Sequence, residues 1–570
     1  MNRLIICLTA LLLAACGNDA TDAGVENAAS APATESTAAA PVAPGLVDQL
    51  LARIDAEPAM LWLSLEPLPQ ALLEQLWARM DMASELNENA YEEMAEETED
   101  PLLRALIDEL GELDSPEAWA ERGIEITGVA GMHTVGIFPV VHWQLSDQDA
   151  FEAAVARIEA EAETEFSRRQ VVDQTVIWHD LGEVGLAIHH DASFLTLGLV
   201  ADRPELLRRV ANIDQAEPAL ESAQVEAFNA ARGFRADSAG YIDFQRVLDL
   251  LLDGEDELLV QARAEGPLGA VADDQACRAE LGALTRTFPR QSFGTTAADA
   301  NSMTVLTRLE TEPGFGLRLA PMADSPLSLD LERAGLVSAG IAFNLIAARD
   351  FGRELVAGWI DNPPQCHLFS DVAEQAPDWQ LAMNRPIPPL VTNMHGVRMH
   401  LDTLEMEDGA LESVVGKLAL FMRNPQMMLG MAQMFSPELA ALDLSPGGDP
   451  QRIPAGLLPN LEDIPAWLGL SDSALGLAIG ESEGLSESLV AGDADGRIFA
   501  AGVDLAAYSD LMALGLSALP ADQAAQADDF DTDETDEAMA LMASIYQYVY
   551  KAVHLGEPGI DLVFRFELAD

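Results

Sequence analysis

Five short patterns recur in the same order in the two halves of this chain, and that collinearity constrains the fold more than any figure of composition. Leu61-Trp-Leu-Ser-Leu65, ahead of a helical stretch at 69–80, pairs with Ile341-Ala-Phe-Asn-Leu345, ahead of another at 349–360. Ala150-Phe-Glu-Ala-Ala-Val-Ala-Arg-Ile158 pairs with Ala410-Leu-Glu-Ser-Val-Val-Gly-Lys-Leu418, after segments holding Met132-His133 and Met394-His395. Val184-Gly-Leu-Ala-Ile188 pairs with Leu475-Gly-Leu-Ala-Ile479, Tyr241-Ile-Asp-Phe244 with Gly502-Val-Asp-Leu505, and Val305-Leu-Thr-Arg-Leu-Glu310 with Leu562-Val-Phe-Arg-Phe-Glu567. Asp249-Leu250 and Asp510-Leu511 extend the fourth pair. Any one match is cheap, because apolar strands and amphipathic helices are common; five in order point to an internal duplication.

Each half reads strand, helix, strands, helix, strands, a strand-to-helix step at an Asp, a long helix and closing strands. Period-two alternation, as in Val305 to Glu310, and short loops predict an α+β class: two tandem copies of a mainly antiparallel sheet with one face covered by helices. The copies are expected over residues 45–325 and 326–570. Insertions are expected at 85–100 and 201–237 in the first, and at 423–452, rich in methionine, in the second.

With 95 acidic residues against 31 basic ones, the formal charge is −64. Such a chain cannot neutralise a run of phosphates, which excludes nucleic acid as a partner and opposes direct docking on anionic lipid. Apolar residues make up 49% of the chain, enough for real cores.

Motifs that carry chemistry are absent. There is no G-x-S-x-G elbow, P-loop, G-x-G-x-x-G or H-E-x-x-H, so no cofactor and no metal are expected. His395, His400 and Asp402 form the tightest polar group. On a strand His395 and His400 face opposite sides, as do His189 and His190, so neither pair reads as a metal site. The acidic run Asp528 to Glu537 lacks the Gly and Glu of an EF-hand and reads as a solvated loop. Asp243 and Asp504, each after a strand and before a helical pattern, read as helix caps in preference to general acids or bases.

Met427, Met428, Met431, Met434 and Phe435 lie on adjoining stripes of one helical segment. Three readings stand open: core packing by a flexible helix, an adaptable groove for an apolar ligand or partner, and thioether capture of copper(I). Placement in an insertion favours the groove, and these five residues are taken as candidate ligand-binding positions.

At the N-terminus, Arg3 precedes the apolar run Leu4 to Ala15, too short to span a bilayer but of signal-peptide length. The run ends in Leu13-Ala14-Ala15-Cys16, which resembles the lipobox of bacterial lipoproteins. The resemblance implies cleavage of residues 1–15, acylation with palmitate-type chains at Cys16, and attachment to a membrane in the cell envelope. Residues 16–44, rich in Ala, Ser, Thr and Pro, read as a disordered tether with an r.m.s. span of about 30 Å. Gly17 in place of Asp implies the outer membrane, facing the periplasm. Export leaves Cys277 and Cys366 in the folded part, which predicts one disulfide. Ala56 to Leu65, Gly198 to Leu207 and Tyr241-Ile-Asp-Phe-Gln-Arg246 are similar to bacterial extracytoplasmic proteins of a domain family without assigned function, which implies no catalytic residue. The reading that follows is a lipid-anchored, non-catalytic binding module for an apolar ligand or protein partner. An envelope hydrolase using carboxylates and a structural spacer are the alternatives.

Overall fold

The computed structural model describes residues 45–82, 94–95, 98–331, 335–407, 410–454, 457, 464–505 and 543–569. The signal segment, Cys16, the tether, Asp510-Leu511 and the acidic run Asp528 to Glu537 lie outside them. The fold is α+β, and the described chain divides into two compact units between Thr307 and Arg308. The boundary falls earlier than residue 325. Helix Pro313–Leu319 and the 3-10 turn Ala320–Met322 belong to the second unit, where Phe315, Leu319, Met322 and Ala323 pack with Leu555.

In the first unit the strands are β1 (Met60–Ser64), β2 (Ala130–Val135), β3 (Phe138–Gln144), β4 (Ser167–Val171), β5 (Gln174–Asp180), β6 (Gly185–His190), β7 (Phe194–Val200), β8 (Ala239–Asp243), β9 (Arg290–Ala298) and β10 (Ser302–Glu310), on which the division falls. From β9 the antiparallel order runs β9-β8-β1-β2-β3-β7-β6-β5-β4. Both faces are covered by helices, which corrects the one-sided cover expected from alternation. Trp62, Val141, Trp143 and Ile188 pack under helices Pro101–Gly111 and Gln148–Glu161. On the other face Leu61 and Leu63 meet helix Leu46–Leu51 and Val225, and Val140, Trp178 and Ala187 meet helix Pro204–Val210. A strand buried on both sides has apolar residues at consecutive positions, as at Val140-Val141, so alternation fades.

Helix Gln148–Glu161 shows how local sequence sets the layer. Asp147 accepts the Ala150 N–H as N-cap, and Phe151, Ala154, Val155 and Ile158 form the buried stripe at helical spacing. Truncating Phe151 to Ala would cost about 3–5 kcal/mol of stability.

The second unit contains β11 (Val337–Ala342), β12 (Met394–Glu407), β13 (Ala410–Met422), β14 (Gln451–Arg452), β15 (Ala466–Leu470), β16 (Ala474–Ile479), β17 (Arg497–Asp504), β18 (Tyr546–Gly556) and β19 (Gly559–Leu568). Their order, β19-β18-β17-β11-β12-β13-β16-β15-β14, matches β10-β9-β8-β1-β2-β3-β7-β6-β5 of the first unit, where β10 pairs with β9, and lacks a counterpart of β4 at the β14 end. The sequence matches map onto this order unevenly. Tyr241 to Phe244 and Gly502 to Leu505 fall on or just past β8 and β17, which hold equivalent places. Ala150 to Ile158 is helical, whereas Ala410 to Leu418 is strand. Val414, Val415 and Gly416 disfavour helix there, and pairing with β12 and, from Gly416 onward, with β16 fixes the strand. Val184 to Ile188 lies on β6 with the residue before it, but Leu475 to Ile479 lies on β16, which stands where β7 stands in the first unit.

Helix Pro425–Phe435 follows β13 as helix Gln148–Glu161 follows β3, so the methionine-rich segment occupies a place common to both units and is not an addition to the second. One face of this sheet is rich in small residues, Ser338, Gly340 and Ala342 on β11, Gly396 on β12, Ala419 on β13, Ala474, Gly476 and Ala478 on β16, among which stand Arg398, His400, Lys417 and Phe421. Other chain lies directly upon it. A Cβ at Gly340 would sit 2.6 Å from the Leu329 side chain, one at Gly396 2.6 Å from that of Leu327, and one at Gly476 would collide with Leu489.

Candidate functional site

The opposite face of the second sheet carries large apolar side chains. Ile341 pairs with Val397, Met399 with Leu418, and Leu418 with Leu477, so these residues share one side. Ile341, Met399 and Leu418 are 48%, 41% and 43% exposed. Helix Pro425–Phe435 packs against β16 and borders this side, because Leu485 and Leu489 already fill the side of Gly469 and Gly476. Pro425 and Leu429 are its buried residues. Met428 and Met431 are half-buried, and Met427, Met434 and Phe435 are exposed, the last two at 75% and 87%. Core packing therefore falls to Leu429, and three of the five candidate residues project into solvent. Exposed apolar side chains concentrated in this way mark an interaction surface more often than a structural one.

At the end of this surface lies a cleft of about 520 Å³. It forms where β11 runs out into helix Leu345–Asp361, where β12 begins and where β13 ends. Phe343 lines it and sits two residues beyond Ile341, so the apolar strip leads into the cleft. Its other walls include Asn344, Leu345, Met394, His395 and Arg423, with Asp324 and Asp493. Asn344 caps the 17-residue helix by accepting the Ala347 N–H at 3.1 Å. Burial, reinforced by Arg423, pushes the His395 imidazole below its ordinary range, so the ring is neutral near pH 7. Sequence reading singled out His395 but not Arg423, Asp324 or Asp493, which come together only through the sheet.

The other polar candidates are engaged elsewhere. Asp402 accepts from Lys417 Nζ at 2.8 Å, and His400 Nδ1 lies 3.1 Å from Ser338 Oγ. Asp243 caps helix Phe244–Asp253 by accepting the Arg246 N–H at 3.0 Å, and pairs with Arg290 at 2.9 Å. Cys277 and Cys366 are disulfide-bonded and buried, so neither offers a thiolate to a metal.

A histidine row inside the first unit escaped sequence reading. His133 on β2 and His142 on β3 face each other with their Nε2 atoms 3.2 Å apart, and His142 Nδ1 lies 3.0 Å from Thr196 Oγ1. Both rings are buried, and His133 Nδ1 has no partner. The cheapest arrangement has His133 donate from Nε2 and His142 donate from Nδ1, which leaves only a bare acceptor unpaired. Desolvation, aided by Arg209, lowers the His133 pKa to about 3. The signal was present: two histidines in apolar strands across the two-residue Gly136-Ile137 turn, where Gly136 adopts φ 62°.

Among the described residues no helix is long and apolar enough to cross a membrane. No protein-family model, no curated protein and no solved structure matches the chain, so the likeness to a domain family without assigned function rests on the sequence patterns alone.

Proposed function

We propose that the protein is an envelope lipoprotein, held on the outer membrane through acyl chains at Cys16, whose second unit binds the hydrocarbon part of an apolar ligand. The observation that carries this reading is the exposed strip Ile341, Met399 and Leu418 together with the cleft of about 520 Å³ at Phe343, two residues beyond Ile341. That volume is within the range of small-molecule sites, roughly 300–1,000 Å³. A ligand laid along the strip removes apolar surface from water at about 25 cal/mol per Å². The flexible thioethers of Met427 and Met434 on the bordering helix adapt to chains of differing shape. A net charge of −64 keeps the body off anionic head groups and leaves attachment to the lipid anchor. The common strand order of the two units supports their reading as copies of one ancestral domain, of which the second kept an open face.

Purification from the native membrane followed by native mass spectrometry tests the proposal. A bound apolar mass is expected on the wild-type protein and is expected to disappear in Leu418→Lys, whose exposed position tolerates the charge. A wild-type protein that flies without ligand would overturn it.

A further inference from the structure

The polar end of the cleft carries ionic groups that the apolar strip does not explain. Arg423, Asp324 and Asp493 line it, and none forms an ion pair among the described residues. Many arginines of the chain end on carboxylates, as Arg168 on Glu159 at 2.7 Å and Arg208 on Asp214 at 2.6 Å; Arg423 is among those that do not. In a chain with three times as many acids as bases, an arginine beside two aspartates that meets neither leaves both signs available to a visitor.

We infer that the cleft takes an amphipathic zwitterion, with its anionic group on Arg423, its primary amine between Asp324 and Asp493, and its apolar body on Phe343. This rests on the proposed function and specifies the ligand class of the same site. Arg423 can present a two-pronged donor to a phosphate or carboxylate. The N–H groups of Leu345 and Ile346 add to it. They open the first turn of a long helix and have no intrahelical acceptor, while the Asn344 side chain is spent on Ala347. A neutral His395 adds no competing charge. An ammonium has three donors and no acceptor, which suits two carboxylates. A purely anionic ligand would meet Asp324 and Asp493 as repulsion, and a purely cationic one would meet Arg423. Phosphatidylethanolamine-type lipids and free apolar amino acids both carry this chemistry.

Titration calorimetry on the full-length protein, with probes below their aggregation threshold, separates the outcomes. Dihexanoyl phosphatidylethanolamine is expected to bind at least about tenfold more tightly than dihexanoyl phosphatidylglycerol, which lacks the amine. Arg423→Gln is expected to weaken both. Asp493→Asn and Asp324→Asn are expected to weaken only the ethanolamine lipid, with thermal unfolding unchanged. Equal affinity for the two lipids, abolished by Leu418→Lys, would overturn the zwitterion and leave the apolar site standing. Phenylalanine binding with the same dependence on Arg423 and Asp493, without lipid binding, would support the zwitterion and remove the lipid strip. Binding of none of the three would overturn both.

Discussion

His133 and His142 meet Nε2 to Nε2 at 3.2 Å in the interior of the first unit, as two neutral rings sharing one proton. Desolvation holds His133 down at about pKa 3, and holds His142 well below its ordinary range. The ordinary histidine value is about 6.5, so below that pH the unfolded chain takes up protons that the folded unit refuses.

The stabilising contribution of these neutral rings is therefore full above pH 6.5 and is lost as the pH falls from there toward 3. His133 is expected to lower stability by about 1.4 kcal/mol per pH unit across that window, and His142 acts in the same direction. Urea unfolding followed at pH 7, 5.5 and 4 should show a shallower acid limb in His133→Leu/His142→Leu than in wild type. Equal limbs would show that the pair titrates normally.

Breaking the disulfide is expected to be costly. Joining Cys277 to Cys366 closes a loop of about 90 residues, for which chain entropy gives about 4 kcal/mol. Cys277→Ser/Cys366→Ser, or reduction of the wild type, should lower the unfolding midpoint. Alkylation under denaturing conditions should label neither cysteine before reduction and both afterwards.

Asp243 should behave as a structural residue. Asp243→Ala removes the cap on the Arg246 N–H and the pairing with Arg290, and is expected to cost about 1–2 kcal/mol in chemical denaturation. Asp243→Asn keeps an acceptor for the cap and should recover part of it. Hydrolysis of an envelope substrate lost in Asp243→Asn would favour a carboxylate enzyme instead.

The anchor has its own test. Cys16→Ser is expected to move an intact, folded protein from the membrane to the soluble fraction. Continued retention would remove the lipid attachment.

What the sequence made legible follows from range. The cap at Asp243 and the stripe of helix Gln148–Glu161 depend on residues within one turn of each other, and both were readable. Ala410 to Leu418 resembles that helix in spacing, yet folds as β13, because its partners on β12 and β16 are remote in sequence. The second layer over the first sheet was hidden for a related reason, since doubly buried strands lose their alternation. At the candidate site His395 and the methionines were visible as residue types. The cleft itself was not, because Asp324, Phe343, Arg423 and Asp493 come from four separate stretches that only the sheet order brings together.

Photo-crosslinking maps the central claim directly. Full-length protein is incubated with a diazirine-bearing phosphatidylethanolamine below its aggregation threshold, irradiated and digested, and the labelled residues are read by mass spectrometry. Adducts are expected to concentrate on Phe343, Ile341, Met399 and Leu418, with further labelling at Met427 and Met434. Labelling spread evenly over both units, or confined to the first, would contradict it.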